Sequence, residues 1–334
     1  MEKTSGQRLD YLDLAKAIAI VCMVWLHVGT IFEITDRIVH VFHMPVFFLI
    51  SGQLFKPGKG FGSFIRRKAS SLLVPYCFWG WAFYLIWTCI YCLMGDLNSI
   101  ISVKVFIFSL LYYNAEISPY GCVQWFFTTL FFSNILFYVI VLVSKSNMRI
   151  VCCLTVLSGL IGSLMFLVPV RLPLGLDIAF MAVFFMGIGY CLRNFKMKWY
   201  KAAVLLLSVI CCFLLNAQCL WNMRLMEYGI SVLYMIGCAA CCIFIIFICR
   251  ALCSKINGKY LKPFLFLGKN SVWFLLFNNF YINLLRILFP DIPNYVLLSL
   301  VIALIVPSIF FGNRFLYWTI GKKTQKNNNV ECYN

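Results

Sequence analysis

The sequence predicts an all-α integral membrane protein, a bundle of about ten transmembrane helices with both termini in the cytoplasm. Three observations carry this prediction. Hydrophobic residues make up 63% of the 334 residues and charged residues only 12%, about half the charged share of a typical globular chain. Apolar runs of about 20 residues recur along the chain, which is the length that crosses a bilayer as a helix. Basic residues are divided unequally between alternate connections, and this inequality sets orientation.

The predicted spans leave few residues outside the bilayer. The stretch 103–113 is apolar but too short to cross, so we expect it to lie at the interface or to re-enter. Residues 1–320 then form one membrane domain, and the polar stretch 321–334 is expected to be a disordered cytoplasmic tail. The spans are placed at 12–33, 38–55, 71–94, 122–144, 149–168, 174–193, 202–220, 229–250, 265–289 and 295–317.

Lysine and arginine fall mainly on one side of these ten spans. The chain has 28 of them and a net charge of +17. No basic segment alternates with aromatic residues as a groove for nucleic acid requires, so we predict no nucleic-acid partner. Apart from Lys16, which lies inside the first span, all basic residues but five fall on the side of the termini. The five exceptions are Arg37, Lys104, Arg171, Arg224 and Arg286. This bias predicts cytoplasmic termini and a location in the cytoplasmic (inner) membrane of the cell.

The 17 cysteines predict neither a disulfide framework nor a zinc site. Most lie within apolar runs, as in Cys152-Cys153, Cys211-Cys212 and Cys241-Cys242, where they act as small hydrophobic residues. No pair of Cys-x-x-Cys motifs with histidine occurs in a loop. We therefore predict no metal centre.

Ionisable groups within the spans are the main candidates for function, because a charge in the bilayer is costly. The chain has three histidines, and His27, His40 and His43 all fall in the first two spans or the turn between them. Lys16 and His27 are separated by three helical turns plus about 20°, so both side chains lie on one face, roughly 16 Å apart. Asp13 precedes Lys16 by one turn and is expected to pair with it.

From the predicted span ends, His27 and His43 lie at similar depths, roughly 8–9 Å below the outer surface, so their imidazoles are expected to meet in one cavity. His40 shares a face with His43 and is expected nearer the surface. A neutral imidazole there suits general-base chemistry near neutral pH. The alternatives are a structural role in the core and a metal site with Glu33 or Asp36 as a further ligand.

Other polar features have two interpretations each. The basic loop from Lys56 to Lys68 either sets topology or binds the phosphates of a nucleotide-bearing donor. Ser51-Gly52 indicates close helix packing or a donor contact, and Trp125 and Trp273 fit interfacial anchoring as well as a site. Asp177 either orients an acceptor hydroxyl or pairs with Arg171.

Several motifs occur in one order along the chain. They are Lys16 followed by ten residues and His27, Phe-His-Met-Pro at 42–45, Phe-Phe-x-x-Ser-Gly at 47–52, and a basic stretch before Pro75-Tyr76. This pattern resembles the membrane-bound acyltransferase 3 family over roughly residues 8–318. The His-Met-Pro form looks most like the branch related to fucose 4-O-acetylase. Looser matches to that branch are Trp125-Phe126-Phe127, Pro173-Leu174-Gly175-Leu176-Asp177 and Leu267-Gly268-Lys269-Asn270-Ser271.

The resemblance implies transfer of an acyl group from cytoplasmic acyl-CoA, which we expect to be acetyl-CoA, to a hydroxyl of a cell-envelope or exported glycan. No permanently bound cofactor is expected, and the partners are the lipid bilayer, acyl-CoA and the glycan acceptor. His27 is the expected general base, with His43 orienting it or sharing the proton. The expected donor-binding residues are Lys16, Arg66, Arg67, Lys68 and Ser51. Residues expected to support the acceptor or the fold are Asp13, Asp177, Trp125, Asn270 and Ser271.

The chain departs from the family pattern at three positions. Lys16 replaces the commoner arginine, Ser71 stands where a second arginine is often seen, and Asn278 stands where relatives often carry a late histidine. A transporter or flippase for a sugar or lipid-linked intermediate is the alternative from another class, and a structural or signalling protein is a third. Neither alternative requires histidines aligned with an inner cation, and the repeats typical of transporters are not seen.

Overall fold

A computed structural model describes residues 9–58, 60–112, 124–193, 198–215, 217, 219 and 221–321. Within these ranges the chain forms thirteen α-helices and no β-strand. The helices are α1 (Asp10–His27), α2 (Glu33–Phe42), α3 (Pro45–Gln53), α4 (Phe61–Met94), α5 (Val103–Leu111), α6 (Trp125–Val143), α7 (Met148–Leu164), α8 (Leu176–Cys191), α9 (Trp199–Leu215), α10 (Ser231–Lys255), α11 (Gly258–Lys269), α12 (Ser271–Leu288) and α13 (Asn294–Phe315).

Eight segments of the described chain are long and apolar enough to cross a membrane, which confirms an all-helical, multi-pass membrane protein. Two predicted spans are not among them. Helix α1 carries Asp10, Asp13 and Lys16 within 18 residues, and α9 is apolar but only 17 residues long. Helix α5 is too short to cross, as predicted. The eight segments are Glu33–Gln53, Phe61–Met94, Trp125–Val143, Met148–Leu167, Pro173–Cys191, Ser231–Lys255, Ser271–Leu288 and Asn294–Phe315.

The first two spans differ from their predicted bounds. Helix α1 ends at His27 and not at residue 33, because Gly29 adopts a positive φ of 96° that takes the chain out of the helix. The second span begins at Glu33 and breaks after Phe42 into two helices. Pro45 is the first residue of the second helix, and proline suits that position because it has no N–H to donate to the preceding turn. His43 therefore lies at a helix break.

Two further segments differ from the prediction. The predicted span 265–289 is divided by Asn270 into the end of α11 and the whole of α12. The predicted basic loop is helical from Phe61 onward, where it forms the first turns of α4. Residues 122–123 of the fourth predicted span and residues 322–334 of the predicted tail lie outside the described residues.

Helix α1 packs against α2, α3, α10, α11 and α12. Its closest crossing is with α11, where a Cβ on Gly268 would lie 1.8 Å from the backbone oxygen of Asp13. Helices α3 and α8 cross in the same way, since a Cβ on Gly52 would lie 1.9 Å from the backbone oxygen of Met186. Glycine at such crossings lets membrane helices approach closely. Gly52 therefore has a packing role.

Candidate functional site

Lys16 and Asp13 form an ion pair on the first half of α1. Lys16 Nζ lies 2.7 Å from Asp13 Oδ1, and the Asp13 side chain is 3% exposed while that of Lys16 is 20% exposed. The carboxylate is therefore enclosed by protein, and Lys16 is the more exposed member of the pair. This is the pairing that their spacing predicts.

A polar network surrounds the break between α11 and α12, at the same end of α1. Asn313 donates to Asn270 Oδ1 at 2.9 Å and accepts from Trp273 Nε1 at 3.1 Å. Asn270 is buried and Ser271 is half-buried. Trp273 is fully buried, so it packs in the protein interior and is not an interfacial anchor. These contacts assign structural support to Asn270.

The basic stretch on α4 lies at this same end of the bundle. The turn after α13 packs on α4, where Trp79 donates to Thr319 and Gly321 lies beside Ser70. Arg67 donates to the backbone oxygen of Lys56 at 3.1 Å. The cationic groups of Arg67 and Lys68 lie 5.5 and 5.7 Å from the ring centroid of Phe64, and Arg66 is exposed. These three cations lie on α4, whereas Lys16 lies on α1.

Ser51 lies beside a buried amide of α6. Asn134 donates through Nδ2 to Ser51 Oγ at 3.4 Å and to the backbone oxygen of Leu130 at 2.7 Å. Asn134 is fully buried, and its Oδ1 has no hydrogen-bond partner within the described part of the chain. Trp125, at the start of the same helix, is also buried, with its ring centroid 6.3 Å from that of Phe126. Trp125 thus packs in the interior, whereas Ser51 lies beside the polar side chain of Asn134.

His27 is the last residue of α1, yet it lies within the bundle. Its Nδ1 is 2.6 Å from Oδ1 of Asn278, which is near the middle of α12. In the segment that follows His27, the backbone oxygen of Val28 accepts from Arg286 at 2.6 Å and that of Thr30 accepts from Asn294 at 3.0 Å. These contacts hold the non-helical segment after His27 against α12 and α13. The imidazole itself stays half-buried.

His40 and His43 lie next to each other on the second span. Their ring centroids are 5.5 Å apart in an edge-to-face arrangement. His40 Nδ1 lies 2.8 Å from the backbone oxygen of Asp36, and His43 Nδ1 lies 3.0 Å from that of Val39. Carbonyl oxygens only accept, so both imidazoles carry a proton on Nδ1 and, when neutral, leave Nε2 unprotonated.

The three histidines form one electrostatic group together with Arg224. His27 interacts with His40 and with Arg224, and His43 interacts with both of the other histidines. Asp36, on the same helix as His40, accepts from the indole of Trp25 at 2.8 Å. Among the described residues, no three His, Cys, Asp or Glu side chains are arranged to hold a metal ion. His40 and His43 thus lie together as their spacing predicts, and the carboxylate of Asp36 is used in a hydrogen bond.

Asp177 pairs with Arg171, which is one of its two predicted roles. Arg171 Nε lies 2.5 Å from Asp177 Oδ2, and the backbone N–H of Ile178 donates to Oδ1 at 2.8 Å. Arg171 also donates to the backbone oxygen of Arg224 at 3.2 Å. Burial raises the pKa of the nearby Tyr228 phenol, and the charge of Asp177 adds to that rise. Both carboxylate oxygens are engaged, so Asp177 anchors the loop that carries Arg224.

Sequence reasoning missed the buried amides, Asn278 and Asn134. An amide side chain in an apolar helix, like an ionisable one, has a high cost unless its hydrogen bonds are satisfied, and this signal points to both residues. The sequence marks Asn278 only as a departure from the family pattern and gives no partner for it. Its contact with His27 joins residues 251 positions apart, which no local pattern indicates.

Comparison with known proteins agrees with this fold. Residues 9–312 match the acyltransferase 3 family, whose description is an acyltransferase domain. Because the match covers nearly the whole chain, the protein belongs to that family. No curated protein and no solved structure matches the chain. The fold and the family define a multi-pass membrane acyltransferase, and they do not favour a transporter.

Proposed function

We propose that the protein is an integral-membrane O-acetyltransferase. It moves the acetyl group of cytoplasmic acetyl-CoA to a hydroxyl of a cell-envelope or exported glycan, with His27 as the general base. The observation that carries this proposal is the arrangement of α1, which has the Asp13–Lys16 pair near one end and a half-buried histidine within the bundle at the other. Such an arrangement suits two substrates that enter from opposite sides.

The proposed topology has ten spans, with α1 and α9 added to the eight long apolar segments. Helix α1 is 18 residues long and packs against five other helices. Asp13 is therefore covered by protein and need not face lipid, Lys16 is paired with it, and the exposed Asp10 is the first residue of the helix. Both termini are then cytoplasmic, because the connections on that side carry most of the basic residues. The proposed location is the cytoplasmic membrane of the cell.

The donor end of the proposed site is the end of α1 with Lys16. Acetyl-CoA carries phosphates, and lysine and arginine are the side chains that bind them. Lys16 is the more exposed member of its ion pair, and Arg66, Arg67 and Lys68 lie at the same end of the bundle on α4. We assign the nucleotide phosphates to the α4 group and the inner part of the donor to Lys16 and Ser51.

The proposed reaction takes place at the histidines. An unprotonated imidazole nitrogen of His27 accepts the proton of the acceptor hydroxyl while the hydroxyl oxygen forms a bond to the thioester carbonyl carbon. The C–S bond then breaks, CoA leaves as the thiolate, and the imidazolium gives its proton to the CoA sulfur, which regenerates the neutral imidazole. General-base assistance of this kind contributes about 10²- to 10⁴-fold to the rate. We assign to His43 the role of sharing the proton or orienting the ring.

The test is transfer of radiolabelled acetyl groups by the purified protein. Acetyl-CoA is offered with a panel of sugars and with glycan from cells that lack the gene. We expect label on an acceptor hydroxyl with the wild-type protein and none above background with His27→Gln, whose folding is checked by thermal unfolding in detergent. His40→Gln is the matched control and is expected to keep transfer. Transfer by His27→Gln at the wild-type rate would overturn the assignment of the base.

A further inference from the structure

The amide of Asn278 is fixed in one orientation. Its Nδ2 lies 2.8 Å from the backbone oxygen of Phe274 and 2.9 Å from that of Leu275. Both partners accept and neither donates, so the nitrogen end of the amide has to face them. The oxygen end therefore faces His27, and Asn278 is fully buried, so water does not compete for this contact.

An amide oxygen only accepts a hydrogen bond. His27 Nδ1, 2.6 Å away, must then be the donor and carry the proton. In a neutral imidazole the other nitrogen, Nε2, is consequently unprotonated and able to accept. His40 and His43 have the same tautomer for a different reason, because backbone oxygens accept from their Nδ1 atoms. The Nδ1 partner of His27 is thus a side chain, whereas those of His40 and His43 are backbone oxygens.

We propose that Asn278 is a positioning residue that holds the proton of His27 on Nδ1 and so presents Nε2 to the acceptor hydroxyl. The inference deepens the proposed function and rests on it for the identity of the hydroxyl. The tautomer itself depends on the geometry alone. Removing a group that sets the tautomer of a catalytic histidine can cost a large factor in kcat while leaving substrate binding intact.

The direct test is the protonation pattern of His27 in lipid bilayers. The chain has only three histidines, so ¹⁵N,¹³C-histidine labelling gives three sets of solid-state NMR signals, which His40→Gln and His43→Gln assign. We expect the Nδ1–H tautomer at His27 in the wild-type protein and loss of its dominance in Asn278→Leu. A proton on Nε2 of wild-type His27, or an unchanged tautomer in Asn278→Leu, would overturn the proposal. The wild-type spectrum decides even where the variant does not fold.

Kinetics separate positioning from a merely structural role. For Asn278→Leu we expect kcat for acetyl transfer to fall about 100-fold, the scale of general-base catalysis, while KM for acetyl-CoA stays within about twofold. Asn278→Asp keeps an accepting oxygen and is expected to keep the tautomer and more activity than Asn278→Leu. Asn279→Leu places the same change about 100° around the helix and is the matched control. Equal losses in Asn278→Leu and Asn279→Leu would contradict the proposal.

The NMR measurement needs no substrate. A protein with the expected tautomer but no transfer to any acceptor would overturn the proposed function and leave the role of Asn278 as a positioning residue intact. A protein that transfers acetyl groups but carries the His27 proton on Nε2 would overturn the role of Asn278 and leave the proposed function intact.

Discussion

Lys16 and Asp13 form an ion pair at the proposed donor end of the site, with 2.7 Å between Nζ and Oδ1. The pair lies next to a close helix crossing, where Gly268 of α11 meets the backbone of Asp13. The Asp13 side chain is buried and the Lys16 side chain is partly exposed. We therefore expect a bound anion to contact Lys16 while Asp13 stays in its packed position.

Breaking this pair is expected to destabilise the fold. Asp13→Asn leaves the Lys16 cation in a largely buried position without its carboxylate, and the expected cost is about 2 kcal/mol, reduced from the fully buried case because Lys16 is partly exposed. Lys16→Met in the same chain should recover part of that loss. Thermal unfolding in detergent of both single variants and the double variant measures the coupling. Strictly additive losses would show that the two side chains do not stabilise each other.

The basic stretch on α4 is expected to recognise the phosphates of the donor. In Arg66→Ala/Arg67→Ala, KM for acetyl-CoA should rise about tenfold, the effect of losing roughly 1.4 kcal/mol of charged contacts. KM for acetyl-pantetheine, which lacks the nucleotide phosphates, should hardly change. Lys259→Ala/Lys262→Ala removes two exposed cations from α11 and is the control for net charge. An equal rise in KM for both donors would exclude phosphate recognition by α4.

Gly268 is expected to be intolerant of any side chain. Gly268→Ala puts a Cβ against the Asp13 backbone, and forcing extra atoms into a packed contact costs about 1–3 kcal/mol. Gly258→Ala, on the same helix with open space around its Cα, should unfold at the wild-type temperature. The melting temperatures of the two variants provide the comparison, and coincident values would contradict the close crossing of α1 and α11.

His43 and His40 are expected to differ in their effect on activity, although they are neighbours. His43 lies at the helix break between α2 and α3, and the proposed reaction uses it to orient His27 or share its proton. His43→Gln should lower kcat about tenfold, a part of the general-base contribution. His40→Gln should leave kcat within about twofold. A larger loss in His40→Gln than in His43→Gln would exchange their roles.

Hydrophobic runs and charge patterns predicted most of the fold, because length and apolarity are local properties. The all-helical, multi-pass class is confirmed, with eight segments of the described chain long and apolar enough to cross a membrane. The positions of helix ends, in contrast, are not always decided by local sequence. Gly29 ends α1 six residues early and Pro45 begins a new helix after His43, and neither residue alone distinguishes a kink from a break. At Asn270, where α11 ends and α12 begins, the side chain accepts a hydrogen bond from Asn313, which lies 43 positions away in the sequence.

The candidate site divides in the same way. The Asp13–Lys16 pair and the proximity of His40 to His43 follow from helical spacing, so the sequence was enough to predict them. The predicted depth of His27 depends on a first span that ends at residue 33, whereas α1 ends at His27 itself. The contact with Asn278 places the residue within the bundle instead. The contact between Asn134 and Ser51 could not be predicted either, because nothing in the sequence of α6 indicates which other span Asn134 faces.

Transfer across a bilayer is the measurement that tests the central claim most directly. The protein is reconstituted into vesicles with an acceptor glycan enclosed, its orientation is determined by protease access to a tag on the carboxyl terminus, and labelled acetyl-CoA is added outside. The account predicts label on the enclosed glycan in vesicles whose protein has its termini outside, and none with His27→Gln. Label that appears only when donor and acceptor share one side, or that survives in His27→Gln, would contradict it.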